Sequence, residues 1–285
     1  MATRMSTYTL LDSGAGRKLE QIGDVRVDRQ SSCAWWRPRL PPERWREAGS
    51  THVRSDSGGG HWEHRLAVPD AWTVQLSTLK LEARATPFGH VGFFPEHRSQ
   101  WEWIAERIAE RAGDEEVRVL NLFAYTGAAT IAAARAGARV THVDAAQGVV
   151  RWAGRNAELN DLPPDQIRWI TDDARKFVAR EQRRGQRYHG ILLDPPSFGR
   201  ANRRVWNIEG DLPPLLTALA SILADQPAFF VLSCHTPGFT PRVLANLLEE
   251  ACPGAPSAQC GELTIPESTG RLHPAGAYAR LDLRG

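Results

Sequence analysis

Leu193-Asp194-Pro195-Pro196-Ser197-Phe198 combines a lone carboxylate with two consecutive prolines. It follows an apolar run at 188–193 that reads as a short buried strand. The prolines forbid continuation of strand or helix, so the backbone beyond Asp194 is expected to be a stiff, extended lip. In an open α/β sheet the carboxyl edge is where ligands bind. An acceptor-only carboxylate there, beside rigid carbonyls, suits gripping an amino group or a base edge. The plainer alternative is a strand exit with a surface aspartate.

Two upstream segments share this pattern. Residues 117–122 read as a strand, Phe123-Ala124-Tyr125-Thr126-Gly127 as a tight turn, and 128–134 as an alanine-rich helix. Small residues let a ligand approach the turn, and Gly127 admits dihedrals that other residues avoid. A second strand at 138–143 ends in Asp144, where nucleotide-binding α/β folds hold ribose hydroxyls. A third, 167–171, ends in Asp172-Asp173. The G-x-G-x-x-G fingerprint is absent from the turn, which argues against a dinucleotide oxidoreductase. Singly, each acid is often only a helix N-cap. Three acidic strand ends in series, Asp144, Asp173 and Asp194, point to one ligand-binding edge.

The order Asn121-Leu122-Phe123-Ala124-Tyr125-Thr126-Gly127, His142-Val143-Asp144, Asp172-Asp173-Ala174-Arg175 and Asp194-Pro195-Pro196-Ser197-Phe198-Gly199-Arg200 resembles class I S-adenosylmethionine (SAM) methyltransferases. It is most similar to the bacterial large-subunit (23S) ribosomal RNA methyltransferases that modify cytosine C5 or guanine N7. Gly89-His90-Val91-Gly92-Phe93-Phe94-Pro95-Glu96-His97-Arg98 resembles a segment that in this family helps close the SAM pocket. Pro95-Glu96-His97 stands where the family has Leu-Asp-Gln. The resemblance covers roughly residues 88–285. It implies an α/β fold with a Rossmann-like, seven-stranded sheet, SAM as cofactor and no metal. It assigns Phe93, Arg98, Asn121, Phe123, Ala124, Tyr125, Thr126 and Gly127 to the cofactor. Asp144 would take the ribose hydroxyls and Asp173 the adenine amine. Asp194 and Pro195 would lie between cofactor and target base, with Pro196 and Phe198 on the substrate side.

Cys234 closes a buried strand read at 228–234 and is followed by His235. In a doubly wound order this strand end neighbours Asp194. Forming 5-methylcytosine requires a thiolate to add to carbon six before carbon five is methylated. The cytosine-modifying relatives carry Ser-Cys-Ser at this position, and Ser233-Cys234-His235 matches the thiol. His235 would lower the thiol pKa or act as a base, although adjacent strand residues point to opposite faces. A buried structural cysteine is the other reading.

Net charge is +2 over 285 residues, with 42% apolar content, so the chain holds a full core and is no polycation. No apolar run reaches the length of a membrane helix. The first residues lack a signal-peptide core, and Cys33, Cys234, Cys252 and Cys260 show neither metal-ligand spacing nor a disulfide pattern. A cytoplasmic protein is expected. Residues 1–87 are expected to form a β-rich accessory domain, with short alternating segments at 72–76 and 79–82 and a turn at 55–60. Its tryptophans, Trp35, Trp36, Trp45, Trp62 and Trp72, would stack on unpaired bases if exposed. If buried, they are the core of a small β-domain. Residues 88–285 are expected to form the catalytic domain, with helices at 99–111, 211–223 and 240–251 and final strands at 259–265 and 277–283.

Three readings follow: an RNA methyltransferase with ribosomal RNA as substrate, forming 5-methylcytosine through Cys234; a methyltransferase acting on a base amino or ring nitrogen without a covalent step; and a nucleic-acid-binding module with a vestigial SAM site. Basic residues are almost all arginine. Genome base composition is the plain explanation, and Arg180, Arg183, Arg184 and Arg187 surround a helix end. Arg200, Arg203 and Arg204 follow the catalytic lip and suit phosphate contacts. Replacing these three with Gln is expected to weaken RNA binding and flatten its salt dependence by up to about one unit of slope per lost phosphate contact. SAM affinity should be unchanged. An identical salt slope would remove the cluster from the interface.

Overall fold

A computed structural model describes residues 7–55, 59–111, 116–201 and 204–284. The chain forms two compact units, Met1–Arg98 with Thr264–Ala275, and Ser99–Leu263 with Gly276–Gly285. In the first, β1 (Tyr8–Gly14), β2 (Arg17–Ile22), β3 (Val25–Gln30), a short helix α1 (Pro42–Arg46), β4 (Ser50–Arg54) and β5 (Gly60–His64) build a sheet in the order β1-β2-β3-β4-β5. Strands β6 (Trp72–Leu76) and β7 (Leu79–Ala83), expected as short strands, pair with each other as a hairpin. The turn expected at 55–60 lies partly outside the described residues. Leu10, Leu19, Ile22, Val27, Val74 and Leu81 are buried. Glu20, fully buried, accepts from Tyr8 and from both Nε and Nη2 of Arg29. Burial alone would raise its carboxyl, but Arg29 outweighs this and holds it at about 2.

The tryptophans of this unit divide. Trp36, Trp45, Trp62 and Trp72 are half-buried, and each indole N–H reaches an acceptor: Ser13 O, the Asp12 carboxylate, Thr86 O and Ile22 O. These belong to the packing of the β-unit, as an indole with one polar atom can when that atom is paired. Trp35 is 89% exposed.

The second unit takes in α2 (Arg98–Ala109) from Ser99 onward and continues through β8 (Arg118–Leu122), α3 (Ala128–Arg135), β9 (Arg139–Asp144), α4 (Gln147–Leu159), β10 (Ile167–Thr171), α5 (Ala174–Arg183) and β11 (Gly190–Leu193). A hairpin of β12 (Phe198–Ala201) and β13 (Arg204–Asn207) precedes α6 (Ile208–Ala220), β14 (Phe229–Cys234), α7 (Pro241–Ala251), β15 (Gln259–Pro266) and β16 (Leu272–Asp282). The seven-stranded sheet has the order β10-β9-β8-β11-β14-β16-β15. Strands β10, β9, β8, β11 and β14 are parallel, and β16 runs antiparallel to β14. This is the Rossmann-like α/β sheet expected from the strand count. No helix among the described residues is long and apolar enough to cross a membrane.

Alternation along the central strands creates two cores. Leu120, Leu122, Ile191, Leu193, Phe230, Leu232 and Cys234 face one layer, whereas Val119, Leu192, Phe229 and Val231 face the other. Strands buried on both faces lack polar alternation, hence the continuous apolar runs in the sequence. Beyond the extended lip expected after Asp194, the chain adds the β12–β13 hairpin. Helix α6 starts at Ile208, three residues before the expected 211, because Asn207 accepts from the Glu209 N–H and caps it.

Gly190 sits where β11 meets β14. A Cβ there would lie 2.3 Å from the Phe229 ring. Gly190→Ala is therefore expected to lower stability by about 1–3 kcal/mol through overpacking. Urea denaturation measures this, and an unchanged midpoint would mean that the Phe229 ring moves aside freely.

Candidate active site

The site is built at the carboxyl ends of β8, β9, β10, β11 and β14. After Leu122 the chain turns through Phe123 and Tyr125, with φ of 53° and 49°, to Gly127 at 85°. Left-handed backbone is disfavoured for residues with a Cβ, so the turn must be held from outside. The Ala124 N–H donates to Val143 O at 3.1 Å and the Tyr125 N–H to Asp144 Oδ2 at 3.0 Å. Asn156 Nδ2 donates to Thr126 O at 2.9 Å. At Gly127 an added Cβ would meet the Ala153 Cβ at 3.0 Å, so both φ and space demand glycine. Asn121 is buried, and its amide donates to Thr130 Oγ1, which contacts His142 Nδ1 at 2.9 Å. Burial lowers the His142 pKa to about 3, so this chain is uncharged at neutral pH. Its place is under the turn, where it ties β8 to α3 and β9.

The three acids have three different environments. Asp144 accepts from the Tyr125 and Ala146 N–H groups, at 3.0 and 2.9 Å. Burial raises its pKa, against the lowering effect of those bonds. Asp173 caps α5 through the Lys176 N–H and takes Nη2 of Arg175 at 3.0 Å. Burial would raise its pKa, but the Arg175 hydrogen bonds outweigh it and the net shift is downward. Arg175 also donates to Asp211 at 2.8 Å and to Val205 O, and lies over the Trp206 ring. Asp194 accepts from Ser233 Oγ at 2.8 Å, and His235 Nε2 stands 3.6 Å from its other oxygen.

Beyond Asp194 the lip is tied down. Pro195 is buried, and the Pro196 carbonyl accepts from Trp206 Nε1 at 2.7 Å. Ser197 Oγ and Thr236 Oγ1 are 2.7 Å apart, linking this lip to the loop after β14. Phe198 is 57% exposed at the base of the hairpin. Phe123 packs against Trp206 at 4.8 Å between ring centroids. Ser233, Arg175, Ser197, Thr236 and Trp206 thus enter the site without having been assigned a role from sequence. Ser233, Arg175 and Ser197 stand inside the sequence motifs, and only the fold reveals their partners.

Cys234 is 1% exposed and lies in the apolar layer with Leu232 and Phe230. Its neighbour Ser233 holds Asp194, so the thiol points to the opposite face from that hydrogen bond. The Thr236 N–H donates to its sulfur at 3.3 Å. Burial pushes the thiol pKa up, and the Asp194 charge adds to the rise. Phe93 and Arg98 belong to the first unit: Phe93 is buried with its ring edge-on to Tyr8, and Arg98 is exposed. Arg203 and the side chains of Arg200 and Arg204 lie outside the described residues. Of the arginines around the α5 end, Arg180 pairs with Asp172 and Arg184 with Glu181.

The family model of S-adenosylmethionine-dependent methyltransferases matches residues 52–283. The crystal structure of a SAM-dependent methyltransferase from Agrobacterium tumefaciens superposes with a TM-score of 0.92 at 37% identity, covering 99% of this chain and 92% of that one. The methyltransferase SMU.776, crystallised with SAH, shares the fold at a TM-score of 0.73 and 18% identity, covering 98% of this chain and 76% of that one. A protein of Shewanella loihica named ribosomal RNA large subunit methyltransferase K/L is 33% identical over 163 residues, covering 52% of this chain and 22% of that protein. Its namesake in Methylococcus capsulatus is 32% identical over 188 residues, covering 64% and 24%. The chain thus spans less than a quarter of the length of these two relatives. With the parallel sheet, the left-handed turn after its first strand and the acids at its carboxyl edge, these likenesses place the chain in the family of S-adenosylmethionine-dependent methyltransferases.

Proposed function

We propose that this enzyme methylates a nitrogen of an RNA base, with ribosomal RNA as substrate. One observation carries the choice of atom: the carboxylate of Asp194 is oriented by Ser233 at the sheet edge, while the Cys234 thiol is buried on the other face. Reactive thiols sit in partly exposed, electropositive surroundings that lower their pKa. Cys234 has the opposite surroundings, which favours a core role. RNA as substrate is supported by the names of the K/L relatives.

The residues present fit SAM. Glycine at 127 lets the turn pass close to Ala153 in its left-handed conformation, which supports a backbone cradle there. A carboxylate offers about four acceptor positions, so Asp144 can take ribose hydroxyls in addition to its two backbone N–H bonds. Asp173 caps α5 and pairs with Arg175, and its remaining acceptor capacity would serve the adenine amine. When bound, the cofactor supplies a methyl group on a sulfonium sulfur. Asp194 accepts from the exocyclic amine of the target base and keeps its nitrogen lone pair aimed at that methyl. Phe198, exposed beside the prolines, offers a ring face to a base taken out of its stack. Trp206 fixes the Pro196 carbonyl, so the lip does not reorganise as charge develops.

Asp144→Ala is expected to weaken SAM binding at least tenfold, since each charge-assisted bond is worth about 1.5–3 kcal/mol. In the wild type, protonation removes the acceptor, so affinity falls as pH falls. Burial raises the pKa, so the fall sets in at a higher pH than for a solvent-exposed aspartate. Calorimetric titration across pH checks both, and unchanged affinity in the folded variant would remove Asp144 from the pocket.

Methyl transfer from labelled SAM to unmodified large-subunit RNA, with mass analysis of the nucleosides, tests the reaction. The product should carry its methyl on nitrogen. Cys234→Ala should keep most activity, whereas Asp194→Asn should lose at least about a hundredfold in kcat. A 5-methylcytosine product abolished by Cys234→Ala would overturn the nitrogen reading. Absence of transfer to any RNA would overturn the RNA reading.

A further inference from the structure

The loop at 31–40 in the first unit is pinned along its inner side. The Ala15 N–H donates to Trp36 O at 2.7 Å, and the Gly16 N–H to Ala34 O at 2.8 Å. Asp12 Oδ2 accepts the N–H groups of Arg39 and Leu40, at 2.9 and 2.8 Å. Gly14 is a glycine because a Cβ would lie 2.4 Å from Pro38 N. The Trp36 indole donates to Ser13 O, and the Arg271 guanidinium lies 5.2 Å from its ring centroid. Burial alternates along the segment: Ala34 and Trp36 turn inward, Trp35 and Arg37 outward.

Trp35 therefore stands 89% exposed on a firmly held backbone. Displaying so large an apolar ring forgoes most of the burial free energy that tryptophan would otherwise contribute to folding. Its neighbours supply positive charge. Arg37 and Arg39 are exposed, and the Arg37 guanidinium has no hydrogen-bond or ion-pair partner among the described residues. No Asp or Glu occurs from 29 to 42. The unit carries fifteen Lys and Arg against twelve Asp and Glu, whereas the catalytic unit has twenty against twenty-one. The positive excess of the chain thus lies in the unit that displays the indole.

We propose that Trp35, Arg37 and Arg39 form a docking surface for an unpaired stretch of the RNA substrate, separate from the catalytic lip. The inference rests on the RNA reading given above. An unpaired base stacks on the Trp35 indole, and the two guanidinium groups hold the adjoining phosphates. A duplex keeps its bases stacked on one another and has none to offer. The surface thus selects single-stranded over paired RNA while remaining tolerant of sequence, because every base has a ring face.

The test uses the full-length enzyme and a fluorescein-labelled, unstructured RNA dodecamer, with its duplex as the control, read by anisotropy. Trp35→Ala should weaken single-strand binding about tenfold or more and leave duplex binding and SAM affinity unchanged. Trp35→Phe should keep most of the affinity. Arg37→Gln with Arg39→Gln should reduce the salt slope by up to about two units. The ring is exposed, so the unfolding temperature should not change. Wild-type affinity for the single strand in Trp35→Ala would overturn this surface alone, leaving the RNA reading intact and the indole to a protein partner. Failure of the wild-type enzyme to bind either RNA would overturn both.

Discussion

Two residues with side chains, Phe123 and Tyr125, hold left-handed backbone on either side of Ala124, and the carboxyl edge of the sheet is organised around them. Each such residue costs about 1–3 kcal/mol unless its surroundings over-determine it. Here they do. The end of β9 supplies Val143 O and the Asp144 carboxylate to two successive N–H groups of the turn. From below, the neutral Asn121–Thr130–His142 chain ties β8 to α3 and β9. Asp144 thereby connects two elements before any ligand arrives. Its raised pKa reflects the burial this requires.

The same residue type at three neighbouring strand ends has three different fates. Asp144 is held by backbone donors, Asp173 by a helix N-terminus and an arginine, and Asp194 by a serine hydroxyl from the next strand. Asp173 takes its donors from the next three residues, whereas Asp144 and Asp194 also take theirs from 19 and 39 residues away. Arg175 extends the second environment further. It joins Asp173 to Asp211 on α6 and to the Val205 carbonyl on the hairpin, with its plane over Trp206. Trp206 in turn bonds the Pro196 carbonyl and packs on Phe123. Asp173, the left-handed turn and the proline lip are therefore connected through one arginine and one indole, a rigid frame of the kind that holds reacting groups in register.

Cys234 shows how parity decides chemistry. The residues on either side of Asp194 and Cys234 suggest a thiol beside a carboxylate, and their strands do pair as neighbours. Along β14, however, consecutive side chains alternate, and Ser233 takes the position facing Asp194. The thiol is left with Phe230 and Leu232 in the apolar layer, where burial disfavours its charged form.

Strand, turn and helix around the edge were legible in the chain because local rules set them. Continuous apolar runs mark strands buried on both faces, alanine marks α3, and Gly127 and the Pro195–Pro196 pair mark points where regular structure must stop. The seven strands and the acids at their ends followed from the same signals. Three things did not. The β12–β13 hairpin has strands of four residues each, and β13 lies against α6 while its Trp206 bonds the Pro196 carbonyl. The roles of Ser233 and Arg175 depend on partners 39 and 36 residues away. The split of the tryptophans depends on tertiary partners: Trp36 and Trp35 take opposite sides of a pinned loop, while Trp45, Trp62 and Trp72 bond inward from α1, β5 and β6. Residue type and spacing therefore determined which groups reach the carboxyl edge, since strand period and backbone sterics act locally. Orientation, ionisation and exposure were decided by tertiary structure alone, because each depends on what the fold brings within hydrogen-bonding distance and on how much water it leaves behind.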